Sequence, residues 1–243
     1  MKTYDTNRSI RMKLATNLVL GVLVLSVGTL SLAPLEYEKV SEADSIKLYR
    51  SAGENAIGVS LMFNVYWGTE EVYKILDTLS CYNAKATFFI GGCWADDNVE
   101  CLKAIDAAGH EIGNHGYFHK DHDKLSLVQN QKEISDCNRF IELAIGKKVS
   151  LFAPPSGAYN NDTLKAAELL NMKTILWSKD TIDWRDKNPS LIYTRATKKV
   201  CVGDFILMHP MKETAEALED ILKFYETNHL KTVTVSENLQ KEG

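Results

Sequence analysis

The sequence predicts an α/β domain, formed by residues 51–243, in which short parallel strands alternate with helices. Two observations carry this prediction. The composition is ordinary for a globular protein, with 45% hydrophobic, 25% charged and 9% aromatic residues. After residue 50, short β-rich runs alternate with segments of helical periodicity, which is typical of parallel β/α units.

The first half of the domain is predicted to contain three strands and three helices in alternation. The strands are short and lie at residues 57–63, 84–90 and 111–113, and the second is rich in Thr, Phe and Ile. The helices show the apolar spacing of an amphipathic helix and lie at residues 70–80, 98–108 and 126–145. In the longest helix the apolar positions include Leu127, Ile134 and Phe140.

The second half continues this alternation and ends in a strand. Strands are predicted at residues 149–153, 173–177, 204–208 and 231–235, and helices at residues 161–170, 190–199 and 214–228. No internal repeat or low-complexity segment interrupts the pattern. A single barrel-like or open α/β domain of about 190 residues is therefore expected.

The segment before the domain has a different character. Four basic residues within the first 13 precede an uncharged run at residues 14–34. At about 1.5 Å per residue, a helix of this length reaches roughly 31 Å, close to the thickness of a hydrocarbon core. We therefore expect a cytoplasmic basic tip at residues 1–13, a transmembrane anchor at residues 14–34, a linker at residues 35–50 and an extracytoplasmic domain. A cleaved signal peptide, which would give a secreted protein, is the alternative for the apolar run.

Charge and cysteine content argue against nucleic acid as a ligand and against a zinc ribbon. Twenty-eight basic residues against 32 acidic ones give a net charge of −4, and residues 36–243 alone carry −7, so nucleic acid is an unfavourable partner. The five cysteines contain no Cys-x-x-Cys pair, so a zinc ribbon is not supported. Outside the cell, Cys93 and Cys101 are the best candidates for a single bridge, with unpaired cysteines as the alternative.

Polar and aromatic residues follow five predicted strands, at the edge where the functional sites of β/α proteins lie. His115 and His119 follow the third strand, with a four-residue spacing that lets two imidazoles reach one metal ion. The other four segments are NVYWG, PPSG, SKDTIDW and HP, which begin at Asn64, Pro154, Ser178 and His209. Five strand ends that converge in this way indicate a functional site and strengthen the prediction of a metal there.

These motifs resemble those of the polysaccharide deacetylases with a NodB homology domain, carbohydrate esterase family 4. The similarity extends over roughly residues 55–240 and is carried by NVYWG, KATFFIGG, GHEIGNHGYFH, FAPPSGAYN, WSKDTIDW and ILMHP. It looks closest to the sporulation-associated branch of Firmicutes. The resemblance implies an irregular (β/α) barrel with fewer than eight strands, and a groove for a β-linked N-acetylated glycan polymer such as peptidoglycan.

The resemblance also implies hydrolysis of N-acetyl groups assisted by a divalent metal, usually zinc. It assigns His115 and His119 as metal ligands, His209 as the acid that protonates the leaving amine, and Asp180 as the carboxylate that orients His209. Neutral imidazoles suit zinc, and a carboxylate partner fixes the tautomer of a histidine. The residues expected to contact the substrate are Trp184, Leu207, Ser156 and Tyr159.

Four positions depart from the pattern of the family, and one of them is Ser156, where the family usually has a Tyr. Asn64 stands at the position of the base Asp, Val65 at that of the metal-binding Asp, and Ala153 at that of the Arg that holds the base. An amide cannot take a proton at neutral pH, and a positioned base contributes about 10²–10⁴-fold to the rate. Affinity for zinc should also fall, with Asp121 as a conceivable substitute ligand.

Two functions therefore stay open: a weakly active deacetylase of N-acetylhexosamine polymers, and an inactive homologue that binds glycan or a protein partner. In either case, a domain of charge −7 would not be steered electrostatically toward anionic wall polymers. Recognition is expected to rest on the groove, where Trp67, Trp94 and Trp184 can offer flat faces to sugar rings.

Overall fold

Eight short strands pair side by side in one curled parallel sheet, seen in a computed structural model that describes residue 17 and residues 47–240. The strands are β1 (Leu48–Tyr49), β2 (Ser60–Val65), β3 (Ala86–Ile90), β4 (Glu111–Asn114), β5 (Leu151–Phe152), β6 (Lys173–Ile175), β7 (Lys179–Asp180) and β8 (Phe205–Met208). Their order across the sheet is β1-β6-β5-β4-β3-β2-β8-β7, and each neighbouring pair is parallel. Because β1 and β7 form the two edges, the sheet is an open half-barrel.

Helices precede or follow these strands along the chain, and most of them pack against the outer face of the sheet. They are α1 (Thr69–Cys81), α2 (Gly92–Asp97), α3 (Val99–Ala107), α4 (Leu127–Ile145), α5 (Asn161–Leu169), α6 (Asp183–Asp186), α7 (Pro189–Thr197), α8 (Lys212–Thr227) and α9 (Val235–Leu239). The longest, α4, begins at a capping box in which Ser126 and Gln129 satisfy each other's backbone N–H groups. It ends at Gly146, whose φ of 71° is the left-handed conformation that glycine adopts without strain.

The core has an outer and an inner layer, one on each face of the sheet. Phe63 and Phe88 are fully buried on the face that packs against α1, α3, α4 and α8. Met62 and Phe89 are buried on the opposite face, where they pack with residues of α9. Burial of each such side chain stabilises the fold by about 1.5–3 kcal/mol, so the register of these strands is strongly determined.

This register decides where the last residues of β2 point. Successive side chains of a strand face opposite sides of the sheet. Asn64 therefore shares the inner face with Met62 and lines the mouth of the half-barrel, whereas Val65 shares the outer face with Phe63 and is buried in the helix-facing core.

The α/β class and the alternation of strands and helices are confirmed, and four details of the prediction are wrong. The sheet has eight strands rather than fewer. Residues 48–49, predicted within the linker, form β1, which pairs with β6. In the predicted last strand, only Thr232 bridges to Val59, and helix α9 begins at Val235. Elements β7, α2 and α6 were not predicted, because all are shorter than the window over which periodicity is visible.

The predicted transmembrane segment at residues 14–34 lies outside the described residues, apart from Asn17. Within residue 17 and residues 47–240, none of the helices is long and apolar enough to cross a bilayer. The five cysteines are all unpaired, including Cys93 and Cys101, which agrees with the alternative of unpaired cysteines rather than with a bridge.

Candidate functional site

A groove of about 430 Å³ opens at the carboxyl ends of the strands. Its lining residues are Asn64, Trp67, His115, His119, Ser156, Trp177, Asp180, Trp184, Leu207 and His209. Of the nine predicted site residues, only Tyr159 is absent from this lining. Two larger surface depressions, of about 560 and 470 Å³, contain none of the predicted residues. The groove therefore brings together eight of the nine predicted site residues.

A buried carboxylate holds His209 at the side of the groove. The ring Nδ1 of His209 donates to Asp183 Oδ1 at 2.8 Å, and its backbone N–H donates to Asp183 Oδ2 at 2.6 Å. Asp183 also accepts from the hydroxyl of Thr214 at 2.7 Å and from the backbone N–H of Trp184 at 2.9 Å. Because a carboxylate only accepts, the ring proton lies on Nδ1, and Nε2 keeps its lone pair for a ligand.

The prediction that Asp180 orients His209 is wrong, because Asp183 occupies that role. Asp180 accepts from the backbone N–H of Ile182 at 2.8 Å, and its side chain lines the groove. Burial raises the pKa of the Asp180 carboxyl, and the hydrogen bond from Ile182 partly opposes this rise. Asp180 lies at the end of β7 beside Leu207 of β8, whereas Asp183 begins α6 and is fully buried.

His115 and His119 meet in the groove, with ring centroids 5.1 Å apart and ring planes at 71°. His115 is 1% exposed and its Nδ1 donates to the carbonyl of Ala153 at 2.7 Å, so its Nε2 carries the lone pair. His119 has a φ of 52°, an uncommon left-handed conformation, and its ring lies 4.8 Å from that of Tyr66. The structure thus brings the predicted pair together.

The electrostatic surroundings keep both imidazoles neutral. Complete burial and the neighbouring His119 hold the pKa of His115 well below its usual value. Burial also lowers the pKa of His119. Neutral imidazoles can bind a metal or accept a hydrogen bond, so either use of the pair is chemically open at pH 7.

The three positions at which the family resemblance implies the base, a metal-binding Asp and the supporting Arg carry Asn64, Val65 and Ala153. Asn64 is 4% exposed, and its Oδ1 has no hydrogen-bond partner among the described residues. Val65 is fully buried in the outer core and does not line the groove. Ala153 is buried in the inner core, where it presents only its backbone carbonyl to His115.

The residues present do not fit a metal centre with three protein ligands. In residue 17 and residues 47–240, no three His, Cys, Asp or Glu side chains converge as metal ligands would. Asp121, the conceivable substitute, is 42% exposed and pairs with Lys124 at 2.6 Å. Zinc stays a prediction, for which His115 and His119 would supply two ligands.

Aromatic rings form much of the groove wall. Trp184 is 51% exposed and Trp67 is 40% exposed, so part of each side chain is accessible to a ligand. Trp67 lies almost parallel to the ring of His209, with an angle of 5° and centroids 5.7 Å apart. Leu207 and Trp177 complete the apolar lining. Such walls suit the apolar faces of sugar rings and an acetyl methyl group.

Three other predicted contacts have different outcomes. Ser156 is exposed, lines the groove and has a left-handed φ of 57°. Tyr159 does not line the groove, and its hydroxyl accepts from Arg50 at 3.3 Å. The prediction that Trp94 offers a flat face to sugars is wrong, because this ring is 5% exposed and donates to Thr69 at 3.0 Å.

The sequence interpretation missed Asp183, Thr214 and Trp177. Asp183 directly precedes Trp184 in the motif WSKDTIDW, which contains two Asp residues. The motif therefore indicates a carboxylate near the site, but its spacing does not decide which Asp faces His209. Trp177 ends a predicted strand, a position that could have suggested a groove residue. Thr214 lies within a helix, where nothing in the sequence marks it.

Comparison with known proteins identifies the relatives of this chain. A family model described as polysaccharide deacetylase matches residues 52–175. The uncharacterized protein YlxY of Bacillus subtilis is 42% identical over 164 residues, which cover 68% of this chain and 51% of the relative. A peptidoglycan-N-acetylglucosamine deacetylase of Bacillus cereus is 34% identical over 173 residues, which cover 69% of this chain and 81% of the relative. The chain thus spans about half the length of YlxY.

Three solved structures are similar in fold to this chain. The wild-type CE4 family pseudoenzyme BA3943 of Bacillus anthracis has a TM-score of 0.77 and 36% identity, and the match covers 79% of this chain and 69% of that chain. A mutant of BA3943, described as a pseudoenzyme with restored enzymatic activity, has a TM-score of 0.77 and 34% identity, with coverage of 79% and 71%. The peptidoglycan deacetylase PdaC of Bacillus subtilis has a TM-score of 0.70 and 30% identity, with coverage of 76% and 90%.

Proposed function

Because the chain belongs to the polysaccharide deacetylase family, we propose that its groove binds an N-acetylated polysaccharide of the peptidoglycan type and hydrolyses it slowly or not at all. One observation carries this proposal: the two halves of the site are unequal. The acid half, His209 with Asp183, is fully assembled, whereas the base half is replaced by Asn64 and Val65.

In the acid half of the site, His209 can still transfer a proton. His209 lines the groove, and Asp183 holds its Nδ1–H, so Nε2 is the atom that can pass a proton to a leaving amine. Trp67 covers one face of the imidazole, and Thr214 anchors the second carboxylate oxygen. These contacts hold the ring in one orientation.

The base half limits turnover. Asn64 cannot remove a proton from water at neutral pH, which costs about 10²–10⁴-fold in rate relative to a positioned base. In this family the metal would polarise the acetamide carbonyl and acidify a water molecule. His115 and His119 would hold it here, but no third protein ligand converges with them in residue 17 and residues 47–240. We therefore expect the groove to bind the polysaccharide without hydrolysing it efficiently.

Residual deacetylation is the second candidate function. The retention of neutral His115 and His119 beside an intact acid half favours it. The BA3943 mutant with restored activity supports the idea that a similar groove can be returned to catalysis. Relatives named as deacetylases of peptidoglycan N-acetylglucosamine and N-acetylmuramic acid support the substrate class.

Binding and acetate release measured together test the proposal. Full-length protein is incubated with insoluble peptidoglycan and with N-acetylglucosamine oligomers, in metal-free buffer and with added zinc or cobalt. We expect sedimentation with the polymer and little or no acetate. Rapid acetate release that His115→Ala abolishes would establish the enzyme instead, and failure to bind any N-acetylated polymer would refute the proposal.

We also propose that residues 14–34 anchor the chain in a membrane with the groove outside the cell. The basic residues before the apolar run support this orientation, and so does a peptidoglycan-type ligand. Protease treatment of intact protoplasts is the test. The groove domain should be digested while an N-terminal tag stays protected, and the reverse result would contradict the proposal.

A further inference from the structure

The thioether of Met211 is bonded to an aromatic wall of the groove. Met211 lies between His209 and helix α8, and its backbone N–H donates to the carbonyl of His209 at 2.8 Å. Its Sδ accepts from the indole N–H of Trp67 at 3.4 Å. A thioether sulfur is a weak acceptor, and here it holds the polar edge of a ring that lines the groove.

The same indole ring bears on the acid half of the site. Trp67 lies almost parallel to the imidazole of His209, at an angle of 5° and with centroids 5.7 Å apart. The next residue, Gly68, packs so tightly that an added Cβ would overlap the carbonyl oxygen of Pro210. Residues 67–68 and 209–211 therefore form one close-packed unit, and a change at the Met211 sulfur is transmitted to the indole ring.

Met211 is also the methionine that solvent reaches. Within residue 17 and residues 47–240, Met62, Met172 and Met208 are buried, whereas Met211 is partly exposed. Hydrogen peroxide oxidises a thioether by two electrons. A sulfur lone pair forms the new S–O bond, the O–O bond breaks, and the second oxygen leaves with both hydrogens as water. Because susceptibility follows exposure, this reaction is directed to Met211.

We propose that Met211 is an oxidation site through which peroxide weakens the binding of glycan in the groove. The sulfoxide places a polar oxygen on the sulfur that the Trp67 N–H contacts, and it disrupts the packing of the former thioether. The indole ring is displaced from His209, and its face no longer forms the groove wall. The modification stands on the geometry alone, whereas its effect on binding rests on the proposed glycan ligand.

Peptide mass spectrometry of full-length protein treated with hydrogen peroxide tests where the oxidation occurs. Met172 is the matched control, because its Sδ also accepts a hydrogen bond, from Asn138 Nδ2 at 3.1 Å, but the residue is buried. We expect Met211 to form the sulfoxide at least about tenfold faster than Met172. Equal rates at the two methionines would overturn the proposal.

The indole N–H resonance of Trp67 reports the coupling to the groove. It is assigned by its absence from the spectrum of Trp67→Phe. We expect this resonance to shift with the same time course as the oxidation of Met211, because the sulfoxide changes its hydrogen-bond acceptor. An unshifted resonance after complete oxidation of Met211 would overturn the proposal.

Calorimetry with the N-acetylglucosamine tetramer measures the consequence for binding. We expect the oxidised wild type to bind about fivefold more weakly than the untreated protein, as for the loss of one neutral hydrogen bond. Met211→Leu keeps the size of the side chain but has no sulfur to oxidise, so peroxide should leave its affinity unchanged. Methionine sulfoxide reductases A and B, which each reduce one epimer, should restore the oxidised wild type.

The outcomes separate this proposal from the proposed function. An equal loss of affinity in peroxide-treated Met211→Leu would place the damage elsewhere and overturn the role of Met211. Unchanged affinity of the oxidised wild type would also overturn that role, with glycan binding intact. Failure of the untreated wild type to bind the tetramer would overturn the proposed function, while the oxidation rates and the Trp67 resonance would still decide whether Met211 is a modification site.

Discussion

Replacing Asp183 with Asn removes the carboxylate that organises the acid half of the groove while it keeps the shape of the side chain. The four hydrogen bonds to Asp183 come from two backbone N–H groups, one hydroxyl and one imidazole. The amide of an asparagine side chain has one oxygen and one NH₂ group. In either of its two orientations, this NH₂ group replaces a carboxylate oxygen that accepts from the backbone N–H of His209 or of Trp184. One buried backbone N–H therefore loses its acceptor, and the remaining bonds lose the assistance of a charge.

The size of the effect follows from these contacts. A buried donor without a partner costs about 1–3 kcal/mol, and hydrogen bonds to charged groups are worth about 1.5–3 kcal/mol against roughly 1 for neutral ones. The hydroxyl of Thr214 can rotate and the imidazole of His209 can change tautomer, which recovers part of the loss. We expect Asp183→Asn to lower the free energy of unfolding by about 2–4 kcal/mol. With a slope of about 2 kcal/mol per molar urea, the midpoint falls by about 1–2 M.

Urea unfolding followed by tryptophan fluorescence measures this change, with Asp180→Asn as the matched control. Asp180 makes one side-chain hydrogen bond, to Ile182, which the amide oxygen of Asn can preserve. Burial already raises the pKa of Asp180, so a neutral side chain is tolerated there, and we expect a change within about 0.5 kcal/mol. Nitrogen-detected NMR should also show an altered His209 tautomer only in Asp183→Asn. If Asp180→Asn were the more destabilising variant, the assignment of Asp183 would be refuted.

Three further predictions concern other parts of the domain. Val65→Asp should lower the free energy of unfolding by at least about 2 kcal/mol, because residue 65 lies in the apolar core and not in the groove. Added zinc should not restore its melting temperature, and a restoration by zinc would contradict this placement of Val65. The free energy of unfolding should fall from about pH 6.5 toward pH 4, because burial lowers the pKa of His110 to about 4 and the unfolded state binds the proton first. His110→Leu should flatten that dependence in urea titrations. Trp184→Ala should weaken glycan binding about tenfold at unchanged stability, whereas buried Trp94→Ala should cost about 3 kcal/mol of stability, and the opposite pattern would refute the assignment of the groove wall.

Much of the site can be located from the sequence because strand ends and their flanking residues are local features. Apolar runs predicted β2, β3, β4 and β8, and parallel strands bring their carboxyl ends to one edge. His115 and His119 follow β4, His209 follows β8, and all three reach the groove. The amide at position 64, where the resemblance to the family implies a base Asp, is equally visible in the sequence.

The details that the sequence left undecided depend on contacts between distant segments. The choice between Asp180 and Asp183 as the partner of His209 depends on how β7 and α6 lie against β8, across 26 residues of chain. The same holds for Trp94, which is buried in the outer core and donates to Thr69 at the start of α1 rather than lining the groove.

The amino-acid sequence by itself determined the α/β class, the edge of the sheet that carries the site and the presence of an amide at position 64. Only the tertiary structure decided that Val65 points into the core, that Asp183 holds His209 and that Asn64 Oδ1 has no hydrogen-bond partner among the described residues. The physical reason is one of range. Hydrophobic periodicity acts over a few residues, whereas a hydrogen-bond partner is chosen by packing that brings remote side chains within about 3 Å.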